Sequence, residues 1–330
     1  MTQTLSMSVL YRKLLAIGFP KQFVRDKVLP SWWNEELDNQ PVAVLQGAGH
    51  IAQHLRLDLK SLLAENQKPQ FQPLPHTKFK YHQQSQTDLP DVAHQLASRV
   101  AEVVANAIKL EFKPIPSDPD QVRSEIVAKH PQVNLYSLIH YCWQHGIVVI
   151  YFNNYPKKQR KITGMIQWQG DYPVIVLSSS HTNPALLAFH LAHELGHLAL
   201  AHIEEGILID DDIKQDSDDQ EEIDSNQFAV KLLVNSFDNF LGNQNFYNAV
   251  QLKNKIIQRS KNDLTIDPCA LALNYGWHNK TYFGLSRRCL NLIDDDKEGQ
   301  KIINNFLQQH LNWDELSDDN ADYLDRILGE

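Results

Sequence analysis

The residues best suited to chemistry lie in one short segment, His190-Leu-Ala-His193-Glu194-Leu-Gly-His197. His193 and His197 are four apart, so on a helix both imidazoles leave the same face and can meet one ion. Two imidazoles suit Zn²⁺. Glu194, beside the first of them, can act as general base toward a water that the metal activates. The chemistry such a set could perform is attack of a metal-activated water on a peptide carbonyl near neutral pH. The competing reading is a helix that simply buries two histidines, and the dense apolar pattern around the pentad weighs against it. Gly196 sits between the histidines, where glycine costs helix stability relative to Ala. Close approach of another element would account for it. A catalytic zinc site usually takes three protein ligands and keeps one position open. A third ligand is therefore expected on a later helix, where Glu221-Glu222-Ile223-Asp224 offers carboxylates.

The elements that must position these groups can be read from period and punctuation. Residues 147–152 form a β-branched run, 163–168 a second strand and 172–177 a third, with Gly170-Asp171 as the turn. Asn183-Pro184 opens a long helix from Ala185 to about His202, and another runs from about Gln220 to Asn235. The expected fold class is α+β, mainly helical, with a sheet of about three strands ahead of the pentad helix. An exposed edge at 172–177 or 163–168 would let an extended peptide add to the sheet through backbone hydrogen bonds.

Together, the strands, the phrase AFHLAHELGHLAL and the later DSNQFAVKLL resemble the ImmA/IrrE family of zinc metallopeptidases over about residues 91–240. The resemblance implies a zincin-like core. In that family a Glu-Ala-Asn-x-Phe-Ala motif follows the pentad and its acidic residue is the third zinc ligand. The matching stretch is Asp224-Ser225-Asn226-Gln227-Phe228-Ala229, which implies the metal set His193, His197 and Asp224, with Glu194 catalytic. Asp replaces the family's Glu and is one methylene shorter. Either the helix comes closer, or Glu221 one turn earlier substitutes, or no third protein ligand exists. The resemblance also implies a regulatory substrate, a helix-turn-helix repressor or antitoxin cut by limited proteolysis to release genes of a stress response, a mobile element or a defence system. The alternative is a zinc-binding sensor or scaffold that controls a transcriptional repressor without cleaving it.

Other residues carry weaker readings. His190 shares the face of His193 and His197 and reads as a core or hydrogen-bonded histidine rather than a partner of the ligands. His202 is five past His197 and is expected to point elsewhere. His181, just before the helix, is a candidate to polarise a substrate carbonyl. Asn226 is a candidate to orient a ligand. Residues 204–224 hold eleven Asp/Glu and one Lys. Within that run Asp210, Asp211, Asp212, Asp216, Asp218 and Asp219 read as a solvated loop.

The rest of the chain bounds the answer. It has 330 residues, a net charge of −9, 42% hydrophobic and 22% charged residues, values of a globular protein of about two domains. The acidic balance argues against a surface that binds nucleic acid throughout. Three cysteines without CxxC spacing argue against a disulfide framework. No apolar run approaches ~18 residues, so a soluble cytoplasmic protein with no membrane partner is expected. Residues 1–65 read as a helical N-terminal module, with helices over 6–17, 41–55 and 57–64. Up to Lys80 the chain carries ten Lys/Arg and six Asp/Glu. This module is read as a docking or helix-turn-helix-like element, with DNA contact as the second option. Residues 66–90, rich in Pro, Gln and His, read as a linker. A helix is expected over 91–113 with Asp91 as N-cap, and further helices over 120–130 and 135–145. The C-terminal region, 241–330, reads as helices broken at Asp267-Pro268, Gly276 and Asp294-Asp295-Asp296. Its Trp277, Tyr282, Phe283, Arg287 and Arg288 read as core plus surface.

Overall fold

The computed structural model describes residues 5–74, 77–80, 92–157, 162–210, 213, 217–242, 244–278 and 280–329. Asp91, Asp211, Asp212, Asp216 and residues 75, 76 and 81–90 of the expected linker lie outside them. Among the described residues a mixed sheet of five strands stands at the centre, in the order β1-β5-β3-β4-β2. The strands are β1 (Thr77–Lys80), β2 (Val148–Tyr151), β3 (Gly164–Gln169), β4 (Tyr172–Leu177) and β5 (Ile207–Asp210). β2 runs parallel to β4 and β1 parallel to β5, while β3 is antiparallel to both β4 and β5. The three expected strands are present. Two more join them, one inside the expected linker and one inside the acidic run. Each is only four residues long, and their flanks of Pro, Gln or Asp/Glu hide them from composition.

Strand residues alternate between two cores. Val149, Tyr151, Ile166, Ile175, Leu177 and Leu208 face one of them, under the pentad helix. Val148, Ile150, Met165, Val174, Val176, Ile207 and Ile209 face the other. The sheet is thus apolar on both faces and carries a helical layer on each. Each fully buried Val, Leu or Ile contributes about 1.5–3 kcal/mol, which fixes the register of the strands that carry the site. The second core is closed by α1 (Met7–Leu15), α2 (Pro41–His54), α3 (Val92–Asn106) and the C-terminal Asp318–Leu328 helix. The N-terminal helices therefore share a core with the back of the sheet.

Several expected boundaries move. The helix expected to reach 113 ends at Asn106. Gly276 lies inside the Pro268–His278 helix rather than at a turn, because a Cβ there would meet Ser286 Cβ at 2.7 Å where the next helix crosses. The strands offered as open edges, β3 and β4, are both interior. The edges are β1 and β2. On β2, Tyr151 N–H donates to Asn304 Oδ1, and Asn304 Nδ2 donates back to the Tyr151 carbonyl, each at 3.0 Å. No helix among the described residues is long and apolar enough to cross a membrane.

Candidate metal centre

The pentad lies on α4 (Pro184–Ala199). Asn183 caps it by accepting the Ala185 N–H at 3.0 Å, and Pro184 occupies the first turn, where its missing N–H costs nothing. Leu187, Ala188, Leu191, Ala192, Leu195 and Leu198 are buried, and so are His193, Glu194 and His197. A helix covered this fully needs a reason for its polar residues.

The reason is the crossing with α5 (Gln220–Val234). At Gly196 an added Cβ would lie 2.9 Å from Ser225 Cα, so the two backbones nearly touch there, as the glycine led us to expect. That contact sets Glu222 and Asn226 against the two histidines. His193 Nδ1–H donates to Asn226 Oδ1 at 3.0 Å, which turns Nε2 inward toward the cluster. Asn226 thus does orient a histidine. The Nε2 atoms of His193 and His197 are 3.0 Å apart. Glu222 Oε1 is 3.3 Å from His197 Nε2, and Glu222 Oε2 is 3.5 Å from His193 Nε2. Asp210, the last residue of β5, brings Oδ2 to 3.6 and 3.5 Å from the same two nitrogens. One donor atom from each of these four residues lies within 4.8 Å of the others.

Two acidic residues are placed differently from the sequence expectation. Asp224 does not join the set. It accepts from Gln220 Nε2 at 2.7 Å on the exposed side of α5. The helical period explains this: Asn226 faces His193, so Glu222, four residues earlier, shares its face, while Asp224, two residues earlier, turns about 200° away. Glu221 is engaged elsewhere, pairing with Lys78 of β1 at 2.6–2.7 Å. Asp210 is not a solvated loop residue. It is 1% exposed, because β5 pairs with β3 on one side and β1 on the other.

His202 also departs from expectation. α4 ends in a Schellman motif: Ala201 takes φ 56°, its N–H donates to Leu198 O at 3.2 Å, and the His202 N–H donates to His197 O at 2.9 Å. The chain folds back, so His202 Nδ1 comes 3.0 Å from His197 Nδ1. Each histidine of the pair therefore has a partner on its outer nitrogen. Ser225 Oγ lies 3.3 Å from His202 Nδ1. His181 is not in the set. It is exposed and sits 2.7 Å from Arg287 Nη2. His190 lines a cavity of about 150 Å³ with Leu186, Phe189, Trp277 and Phe283. Burial holds it neutral, with its pKa pushed down to about 4.

Glu194 lies over the start of β3. A Cβ on Gly164 would sit 1.7 Å from Glu194 Oε1, so only glycine leaves room for the carboxylate. Burial, reinforced by Asp210 and Glu222 and opposed by His193, holds Glu194 well above the usual carboxylate range. Burial would also raise Glu222, but the two imidazoles outweigh it and hold that carboxyl far below its usual value. For His193, burial is outweighed by Asp210 and Glu222, and its pKa rises to about 10.

These residues fit a divalent cation. Both Asp210 oxygens, both Glu194 oxygens and Glu222 Oε1 are buried without a hydrogen-bond partner, and a buried polar group without one is rare and costly. The imidazoles and carboxylates aim at a common point. Histidines four apart on one helix, a buried Glu between them and a carboxylate from a second helix are the donor pattern of a metallopeptidase-type site. The family model described as the IrrE N-terminal-like domain, a peptidase family, matches residues 142–239. That part of the chain is similar to the peptidase domain of this family, and it contains every residue of the cluster. Comparison with curated proteins gave no match.

Proposed function

We propose that the chain is a zinc-dependent endopeptidase in which His193, His197 and Glu222 hold the metal and Glu194 handles the proton. The observation that carries this reading is the convergence of two imidazoles and buried, unpartnered carboxylates beside Glu194. Two imidazoles with a carboxylate favour Zn²⁺. A cation held there acidifies the attacking water and polarises the scissile carbonyl. With a cation held there, Glu194 would take a proton from the attacking water on a carboxylate oxygen and hand it to the leaving amine. Its raised pKa suits the second half of that task. Asn226 and His202 keep the two imidazoles in register.

The substrate class rests on the family likeness: a helix-turn-helix repressor or antitoxin, cleaved once to release its genes. The N-terminal helices are assigned docking of that substrate, supported by the exposed Trp32, Val42 and Leu45 on or beside α2; contact with DNA is the lesser reading. One observation favours a second reading, a sensor that binds without cutting. Asp210 adds a fourth protein donor to the cluster, as in a closed structural site.

The test compares new protein N-termini in cells expressing wild type or Glu194→Gln, with and without DNA-damaging stress. Termini that need the wild-type residue are expected. Cleavage that persists in Glu194→Gln with metal still bound would refute the peptidase mechanism. A phenotype that survives Glu194→Gln but vanishes in His193→Ala would favour the sensor.

A further inference from the structure

A second set of side chains able to hold a metal lies outside the matched peptidase segment. His50 and His54 are four apart on α2 and share a face. Asp319, in the first turn of the Asp318–Leu328 helix, reaches both: His50 Nδ1 to Oδ1 is 2.7 Å and His54 Nε2 to Oδ2 is 3.0 Å. The three can each offer one donor atom within 4.8 Å of the others.

The state of His54 points beyond a simple ion pair. The residue is fully buried, yet neither ring nitrogen has a hydrogen-bond partner. Its Nε2 lies close to Asp319 Oδ2 but off the hydrogen-bonding line. A buried imidazole without a well-formed hydrogen bond, beside a carboxylate and a second imidazole, is a donor set that a cation would complete. The same relation holds in the peptidase cluster, where unpartnered Asp210 and Glu222 oxygens stand 3.3–3.6 Å from imidazole nitrogens.

The surrounding residues fix the geometry. The Tyr323 ring stacks on His54 with centroids 4.1 Å apart and planes 5° from parallel, and Trp32 packs edge-on against His50. Asn320, next to Asp319, accepts from Arg99 Nη2 at 2.8 Å and from Gln53 Nε2 at 3.2 Å. The side chains of His50 and Asp319 are about one-fifth and one-quarter exposed, at 22% and 24%. An ion can therefore enter from solvent and keep a water as its remaining ligand.

We propose that His50, His54 and Asp319 bind a divalent transition-metal cation, zinc by the imidazole-carboxylate donor set. The ion braces α2 to the C-terminal helix across the core they share with the sheet. It is distinct from the ion of the peptidase cluster and acts on stability, not on the reaction.

The experiment uses the full chain, exchanged into buffer with micromolar free zinc, with bound metal counted by mass spectrometry. Wild type is expected to hold two zinc ions per chain. His193→Gln/His197→Gln is expected to hold one, and adding His50→Gln or Asp319→Asn to bring the count to zero. His50 is partly exposed and Asp319→Asn is isosteric, so these variants test the site without emptying the core, and circular dichroism checks that each is folded. In the His193→Gln/His197→Gln protein, zinc at about 100 times its Kd should raise Tm by about 3 °C or more. That rise should vanish in His50→Gln. No zinc in the His193→Gln/His197→Gln protein, or one ion that survives both His50→Gln and Asp319→Asn, overturns the proposal. One ion in wild type that is lost by His50→Gln and kept by His193→Gln/His197→Gln upholds this site and refutes the peptidase metal centre instead.

Discussion

Replacing Gly164 with Ala tests the position of Glu194 without touching a charged group. The new Cβ would stand 1.7 Å from Glu194 Oε1, against about 3.4 Å for an ordinary contact, so the carboxylate must retreat by about 1.7 Å. Misplacing a catalytic group by about 1 Å costs roughly 100-fold in rate, and removal of a general base costs about 10²–10⁴-fold. The expected fall is at least about 100-fold, or ~2.7 kcal/mol of transition-state stabilisation. Stability should change little. Crowding costs about 1–3 kcal/mol, but the displaced group is the end of a flexible side chain, and Ala in a strand recovers about 0.5–1 kcal/mol over Gly. The metal count should stay at the wild-type value, because the nearest atoms to that Cβ all belong to Glu194 rather than to His193, His197 or Glu222. The assay is the rate at which wild-type-dependent N-termini appear in cells at matched protein levels, with zinc content measured on the purified variant. Gly164→Ala/Glu194→Gln should be no slower than Glu194→Gln, since both changes disable the same group. Unchanged cleavage in Gly164→Ala, or a double variant that loses a further factor of about 100, would refute the placement of Glu194 as the proton-handling group.

Three further outcomes are expected. Glu222→Ala should weaken zinc binding more than 100-fold by competition with a chelator, whereas Asp224→Ala, on the exposed side of α5, should shift it less than about threefold; the reverse order would reinstate Asp224 as the ligand. Gly196→Ala should destabilise the protein by about 1–3 kcal/mol in denaturant titration, since the Cβ would lie 2.9 Å from Ser225 Cα and exceed the gain of about 1 kcal/mol in helix propensity; a more stable variant would mean the helices do not cross there. His202→Ala should lower zinc affinity about 10–100-fold with little loss of stability, because it removes the partner of His197 Nδ1, and an unchanged affinity would reduce His202 to a helix-end residue.

How much of this was legible in the sequence differs by element, for physical reasons. The pentad helix, the strands β2, β3 and β4 and the long partner helix α5 announce themselves through period and capping residues, because each lies in an apolar-patterned run bounded by Gly, Pro or Asn. β1 and β5 do not, since their short runs are flanked by Pro, Gln or Asp/Glu and their partners lie far along the chain. Asp210 is hidden for the same cause: a carboxylate amid acidic residues carries no local mark of burial, which is decided by the strands on either side. The third carboxylate is different, because the information to find it is local. Gly196 signals a close helix crossing, and Asn226 is the residue type that orients an imidazole. Once Asn226 is turned toward His193, a period of 3.6 residues places Glu222 on the same face and Asp224 on the opposite one. Motif matching favours Asp224 by position, whereas the helical period turns Glu222 toward the histidines. Coordination depends on direction, so where the two disagree on an acidic helix the phase set by a residue of known facing outweighs alignment.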